Sequence, residues 1–280
     1  MPELPEVETV VRQLRPLLVG RILQSIAVHD RKLAHAVRIP IGTEVFRVFR
    51  RAKYVVFELH QPGTSPVFLA VHLRMTGALI WSSDGASPTG ETIPLLHQVS
   101  LTKKHLRFEL TMDGGKLRFY DPRRFGTVEL FLSEELVPCK GLEPFSPQFT
   151  DEELTRLLKR SKQRIKTWLL RQDRLVGIGN IYASEILFEA GIAPGKRTDR
   201  LKRAQISQLR LATLNILERA IENCGTSFSD FRDATGSAGG FQQFLRVYER
   251  EGELCRHCST KIKRVVEQQR STYYCPQCQR

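Results

Sequence analysis

The chain has 280 residues, 41% of them hydrophobic and 26% charged, enough apolar content for packed cores in roughly two domains. No apolar run approaches the ~20 residues that cross a bilayer, and the acidic start lacks a secretory signal's apolar stretch, which predicts a cytoplasmic protein with no membrane partner. Its 43 Lys and Arg against 30 Asp and Glu give a formal net charge of +13, an excess that favours a polyanionic partner, nucleic acid first.

The chain opens Met1-Pro2-Glu3-Leu4-Pro5-Glu6. Removal of Met1 leaves Pro2 as a free secondary amine, a nucleophile that no internal residue supplies, with Glu3 and Glu6 close by. The same letters also read as an ordinary helix start, because Pro5 suits the first turn and Glu6 and Glu8 suit a helix N-terminus. Val7, Val10, Val11, Leu14, Leu17 and Leu18 recur at helical spacing, so a helix is predicted over 5–19 with Gly20 as its stop.

Short strands follow. Tyr54–Leu59 and Val67–Leu73 are apolar and β-branched, and Leu106, Phe108 and Leu110 alternate up to the Asp113-Gly114-Gly115 turn before Leu117 and Phe119. This pattern predicts an antiparallel sandwich or barrel over 20–132, with an exposed Ser/Gly/Pro/Thr-rich loop at 83–97. Residues 137–149 read as a linker. Thr150-x-x-Glu153 is a capping box before Leu154, Leu157 and Leu158. Further helices are predicted from about 181 to Ala190 and over roughly 203–223. Asp233–Gly240 has three glycines and no apolar anchor, so it reads as a mobile loop, a candidate lid. Cys139 and Cys224 stand alone and read as buried structural thiols.

Four cysteines fall at the end as Cys255-x-x-Cys258 and Cys275-x-x-Cys278, with sixteen residues between the pairs. Two such pairs place four thiolates around one Zn²⁺. A four-thiolate site has no open position, so the zinc is structural. It is what folds so short a tail. Lys261, Lys263, Arg264 and Arg270 between the pairs suit a phosphate backbone or a groove.

Three internal motifs remain. Arg50-Arg51-Ala52-Lys53-Tyr54 carries three cations into a strand and reads as a solvated edge. Asp121-Pro122-Arg123-Arg124-Phe125-Gly126 sets two guanidinium groups beside a ring on a turn. Such a turn reads a base edge and wedges a stack, or is plain turn chemistry. Val176-Gly177-Ile178-Gly179-Asn180-Ile181-Tyr182 starts a helix near Asn180, whose free N–H groups suit a phosphate. It is not a nucleotide loop, because no Lys-Ser/Thr follows. Met75, after a strand, reads as a core filler.

Taken in order, Pro2–Thr9, Arg50–Tyr54, Asp121–Gly126, Gly177–Glu185 and the terminal cysteines resemble bacterial formamidopyrimidine-DNA glycosylase over essentially the whole chain. The resemblance implies an α+β multidomain fold: an N-terminal helix plus antiparallel β-sandwich (1–134), a linker (135–150), a helix–two-turns–helix domain (151–243) and a four-cysteine zinc finger (244–280). It implies a nucleoid-associated monomer acting on double-stranded DNA that contains oxidised bases, chiefly 8-oxoguanine and formamidopyrimidines. The Pro2 amine would form a Schiff base and cut the strand by β,δ-elimination, with Glu3 as acid/base and Glu6 holding the N-terminus. Lys53, Asn180 and Arg270 would grip phosphates, His72 more weakly. Met75, Arg123 and Phe125 would fill the hole left by the flipped base, with Arg123 reading the opposite cytosine. Cys255, Cys258, Cys275 and Cys278 would hold the one zinc.

The match departs at Gly236-Ser237-Ala238-Gly239-Gly240-Phe241, where many relatives carry Gly-Lys-Pro-Gly-Tyr-Phe, and at Thr76, where some carry Glu near the lesion. Two other readings compete: the same chemistry on oxidised pyrimidines, and DNA binding without catalysis, which has no need of the N-terminal cluster.

Overall fold

The computed structural model describes residues 1–33, 37–84, 101–227 and 231–280. They cluster into two units, Met1–Pro138 with Ile221–Gln242, and Cys139–Ala220 with Gln243–Arg280.

In the first unit, α1 (Leu4–Leu18) begins one residue ahead of the predicted span because Glu3 caps it. Glu3 and Glu6 form a capping box, each side chain meeting the other's backbone N–H. This ties up N–H groups that a helix start otherwise leaves unpaired. One face of α1 carries Val7, Val10, Val11, Leu14 and Leu18, all buried. That face packs on β2 (Glu44–Arg51) and β3 (Tyr54–His60).

These two strands continue into an antiparallel sheet ordered β2-β3-β4-β8, with β4 at Val67–His72 and β8 at Thr127–Phe131. A second antiparallel sheet is ordered β1-β6-β7-β5, from β1 (Leu23–Val28), β5 (Ala78–Ser83), β6 (Leu106–Met112) and β7 (Gly115–Tyr120). Val48, Phe57, Leu69 and Val71 of the first sheet share one core with Phe108, Leu110, Leu117 and Phe119 of the second and with α1. This is the sandwich expected from the strand pattern. Each such side chain contributes about 1.5–3 kcal/mol on burial. β3 is apolar on both faces because Val56, with Phe68 and Ala70 of β4, packs under Val137 on the far side. β6 and β7 alternate instead, as strands do when one face is covered. Of the predicted 83–97 loop, only Ser83 and Asp84 lie within the described residues.

The second unit is helical apart from its tail. Thr150 Oγ1 accepts the Glu153 N–H at 3.2 Å and opens α2 (Asp151–Lys159). A five-residue helix, α3 (Ile165–Leu169), follows; it is too short to carry a periodic signature. α4 (Asn180–Glu189) and α5 (Arg203–Glu222) fall where the sequence predicts helices. The tail forms a hairpin of β9 (Lys263–Glu267) and β10 (Arg270–Tyr274). Its turn residues Gln268 and Gln269 have φ of 47° and 59°, a conformation that usually selects Asn or Gly.

Two expectations change. Cys139 and Cys224 are half-buried rather than core thiols. The glycine-rich loop is anchored: the Asp233 carboxylate accepts the Thr235 and Ser237 N–H groups, and Gly239 N–H donates to Ser227 Oγ at 2.8 Å. Its polar side chains supply the tethers that apolar ones lack.

Candidate active site and nucleic-acid interface

Pro2 is buried at the head of α1. Glu3 is 3% and Glu6 1% exposed. Glu6 Oε2 accepts the Glu3 N–H at 2.8 Å, while Oε1 accepts the Thr226 N–H at 2.7 Å. The approach is close because Gly225 has φ +74°, and a Cβ there would lie 2.7 Å from Glu6 Oε1. Gly239 is pressed on the same backbone, where a Cβ would meet the Gly225 carbonyl at 2.4 Å. Gln13 adds a second tie, donating to Asp233 Oδ2 and accepting from Ala234 N–H, both at 2.9 Å. Pro2, Glu3, Glu6 and the glycine-rich loop are therefore one packed constellation. It gathers Pro2 and two buried carboxylates at the positive end of a helix.

Lys53 lies in the β2–β3 turn, which Ala52 closes with φ of 51°. It is 4% exposed, and Arg50 is held by Glu8 at 3.1 Å, so the basic stretch is not the solvated edge its composition suggests. A hairpin turn folds these cations back onto the protein. His72 is paired in register with Tyr54. Its burial, then the positive charges of Arg74 and Lys53, push its pKa down to about 3. Its Nδ1 accepts the Arg74 N–H at 3.0 Å, leaving a neutral ring with Nε2–H as its donor.

Met75 is 39% and Phe125 51% exposed, so Met75 is no core filler. The Arg123 guanidinium lies over the Phe125 ring at 4.8 Å. Thr76 hydroxyl donates to Asp121 Oδ1 and accepts the Arg123 N–H at 3.3 Å, while Asp121 Oδ2 accepts the Gly126 N–H at 2.7 Å. Arg124 makes a two-pronged pair with Asp30 at 2.7 and 2.8 Å, and that guanidinium holds the Asp30 carboxyl below its ordinary range.

In the second unit, Asn180 is the first residue of α4 and donates from Nδ2 to the Ser271 carbonyl at 3.0 Å. The buried Lys166 donates to the same carbonyl at 2.7 Å and to Thr272 Oγ1 at 3.0 Å. Exposed Arg270 precedes that carbonyl and, with Lys166, Arg171 and Gln268, lines a cavity of about 380 Å³. The structure thus brings Asn180 and Arg270 together through Ser271. Buried Glu185 accepts three consecutive N–H groups, of Arg246, Val247 and Tyr248, at 2.8–3.0 Å. Burial pushes its carboxyl up, against the pull of those three donors.

The Sγ atoms of Cys255, Cys258, Cys275 and Cys278 lie within 4.8 Å of one another. Two of the separations are 3.9 Å (Cys255–Cys278) and 3.4 Å (Cys258–Cys275). Four sulfurs about 2.3 Å from a tetrahedral Zn²⁺ stand about 3.8 Å apart, so the donors fit that ion. The His257 N–H also points at Cys255 Sγ, at 3.4 Å, the outer-shell support that metal thiolates take.

Sequence reasoning did not find Thr226, Gln13 or Lys166, and it marked Thr76 only as a departure from relatives, not as the partner of Asp121. Each acts through a partner distant in the chain, and none stands in a patterned run. Glu185 carried a signal, an acid amid the apolar residues of α4.

Three family profiles match in order: the formamidopyrimidine-DNA glycosylase N-terminal domain at residues 1–128, its H2TH domain at 140–232, and a zinc finger found in FPG and IleRS at 252–280. The formamidopyrimidine-DNA glycosylase of Alcanivorax borkumensis is 40% identical, with both chains covered in full. The chain belongs to the formamidopyrimidine-DNA glycosylase family. It is thus an enzyme of the DNA N-glycosylase class with lyase activity at abasic sites. The MutM (Fpg) protein of Thermus thermophilus superposes with a TM-score of 0.82 at 35% identity, covering 99% of this chain and 98% of that one. The Lactococcus lactis Fpg, solved with DNA containing an abasic site, gives 0.84 at 32% identity over 99% of each chain. The helix–sandwich, H2TH and zinc-finger architecture inferred from the sequence is this family's.

Proposed function

We propose that this glycosylase excises oxidised purines, 8-oxoguanine and formamidopyrimidines, from double-stranded DNA and cuts the strand at the resulting site. The observation that carries the reading is the buried Pro2–Glu3 pair held by Glu6 and Thr226. With Met1 removed, the Pro2 nitrogen attacks C1′ of the flipped nucleotide, and the base leaves with its bonding electrons and takes up a proton. Glu3 protonates the sugar ring oxygen, so the ring opens to an iminium on Pro2. The cationic nitrogen acidifies the C2′ hydrogen. Its loss expels the 3′ phosphate, and a second elimination expels the 5′ phosphate.

Lys53, with the neutral His72 Nε2–H beside it, binds phosphate near the reacting sugar. Asn180 and Arg270 bind phosphates from the second unit. Met75, Arg123 and Phe125 fill the vacated place in the stack, and Arg123 donates to the opposite cytosine. One structural Zn²⁺ on Cys255, Cys258, Cys275 and Cys278 folds the hairpin that carries Arg270.

Borohydride reduction during turnover of an 8-oxoguanine:C duplex is expected to leave a covalent adduct at residue 2. An enzyme with a chemically blocked N-terminus that stays fully active would refute the amine mechanism. Faster excision from a thymine glycol duplex would move the substrate class to oxidised pyrimidines.

A further inference from the structure

The segment Met75-Thr76-Gly77 and the turn 121–126 share one buried hydroxyl. Thr76 Oγ1 sits between the Asp121 carboxylate and the Arg123 backbone N–H. An ionised carboxylate only accepts and a backbone N–H only donates, so the group between them must do both. A hydroxyl does; a methyl does not. Asp121 is fixed in turn by the Gly126 N–H on Oδ2 and by Arg107 Nε on its carbonyl, each at 2.7 Å.

Both segments approach their neighbours closely at a glycine. A Cβ on Gly77 would lie 2.4 Å from the Leu73 carbonyl, and one on Gly126 would lie 2.6 Å from Phe119 Cζ. On the turn's other flank, Arg124 is held with φ of 56° by its pair with Asp30. The side chains flanking this strut are Met75, next in sequence to Thr76, and Arg123 and Phe125, stacked on each other. Two of them, Met75 and Phe125, are large apolar groups left exposed.

We propose that Thr76 is a positioning residue for reading the undamaged strand: its hydroxyl locks Met75 to the Arg123–Phe125 turn, so the three side chains enter the duplex as one wedge. This rests on the role given to those three residues under Proposed function. Residue 76 then acts through Asp121 and the Arg123 backbone, on the angle at which Arg123 meets the opposite base, and not by touching the lesion.

The test compares kcat/KM on 8-oxoguanine:C and 8-oxoguanine:A duplexes for the unaltered enzyme, Thr76→Val, Thr76→Ser and Arg123→Ala. A second readout is the fluorescence of 2-aminopurine opposite a tetrahydrofuran abasic analogue, which rises as the wedge unstacks it. Thr76→Val is expected to cut the C-over-A preference about tenfold and to blunt the fluorescence rise. Thr76→Ser, which keeps the hydroxyl, is expected to retain both. If Thr76→Val does not fold, Thr76→Ala carries the same expectation. A preference within about twofold of the unaltered enzyme in Val and Ala, or a loss in Ser equal to theirs, overturns the proposal. Arg123→Ala separates the two ideas. If it loses the preference while Thr76→Val keeps it, the strut is wrong and the wedge stands. If it keeps the preference, the wedge reading fails and takes the strut with it.

Discussion

Glu6 Oε1 accepts the Thr226 backbone N–H at 2.7 Å, joining residues 220 positions apart. Its other oxygen holds the Glu3 N–H, so one buried carboxylate closes the cap of α1 and ties it to the segment before the glycine-rich loop. Glu6→Ala removes the carboxylate that accepts both buried N–H groups and is expected to destabilise the fold by about 2–4 kcal/mol. Thermal unfolding at neutral pH measures this. Borohydride trapping should fall more steeply than the loss of folded protein, because Pro2 loses its setting.

Gly225→Ala strikes the same contact from the other side. The positive φ costs about 1 kcal/mol in a non-glycine residue, and the new methyl is driven against Glu6. The expected outcome is a lower Tm with slower trapping, while Gly42→Ala, also at positive φ but with open space around it, loses only stability.

His72 stays neutral in the folded protein down to a pKa of about 3. The unfolded chain protonates it near its ordinary value of 6.5, so the unfolded state binds the extra proton between those limits. Stability is therefore full above about pH 6.5 and falls as the pH drops towards 3, by up to about 2 kcal/mol at pH 5. Stability measured by urea unfolding from pH 7 to 5 should fall less in His72→Gln. A His72 ring proton resonance that titrates near pH 6.5 in the folded protein would contradict this.

Much of this was legible in the residues. The helical spacing of Val7, Val10, Val11 and Leu14 gave α1, and two Cys-x-x-Cys knuckles gave the metal set, because both are local and periodic. Composition alone reads the Lys53 stretch as solvated, because burial in a hairpin turn depends on what packs over it. Thr76 stands out in the sequence only as a departure from relatives, and Thr226 not at all: a lone hydroxyl or backbone N–H bonded 45 or 220 residues away leaves no pattern. The contacts the sequence could not show are the long-range ones, such as Glu6 with Thr226 and Gln13 with Asp233.

Lys166 and Asn180 converge on one carbonyl, that of Ser271. Lys166→Met removes two of the bonds that hold β10 and is expected to weaken binding to an abasic-analogue duplex about tenfold. The slope of log K against log salt should stay close to that of the unaltered enzyme, since Arg270 keeps its charge. Arg270→Ala should instead reduce that slope by about one.

Zinc analysis of the purified protein is expected to find one ion per chain. Cys258→Ser or a strong chelator should release it and abolish hydrogen-exchange protection across residues 255–278. DNA affinity should drop with it, while α1 and the sandwich keep their melting transition.

The first unit is discontinuous in the chain, Met1–Pro138 being completed by Ile221–Gln242. A ribosome adds about 5–20 residues per second. Glu6 therefore waits roughly 10–40 s for Thr226 to emerge. During that interval the nascent N-terminus lacks its anchor, so any removal of Met1 would meet an unlocked segment. A truncated product ending before residue 226 never acquires the lock, so an interrupted translation yields a chain whose amine is unconstrained.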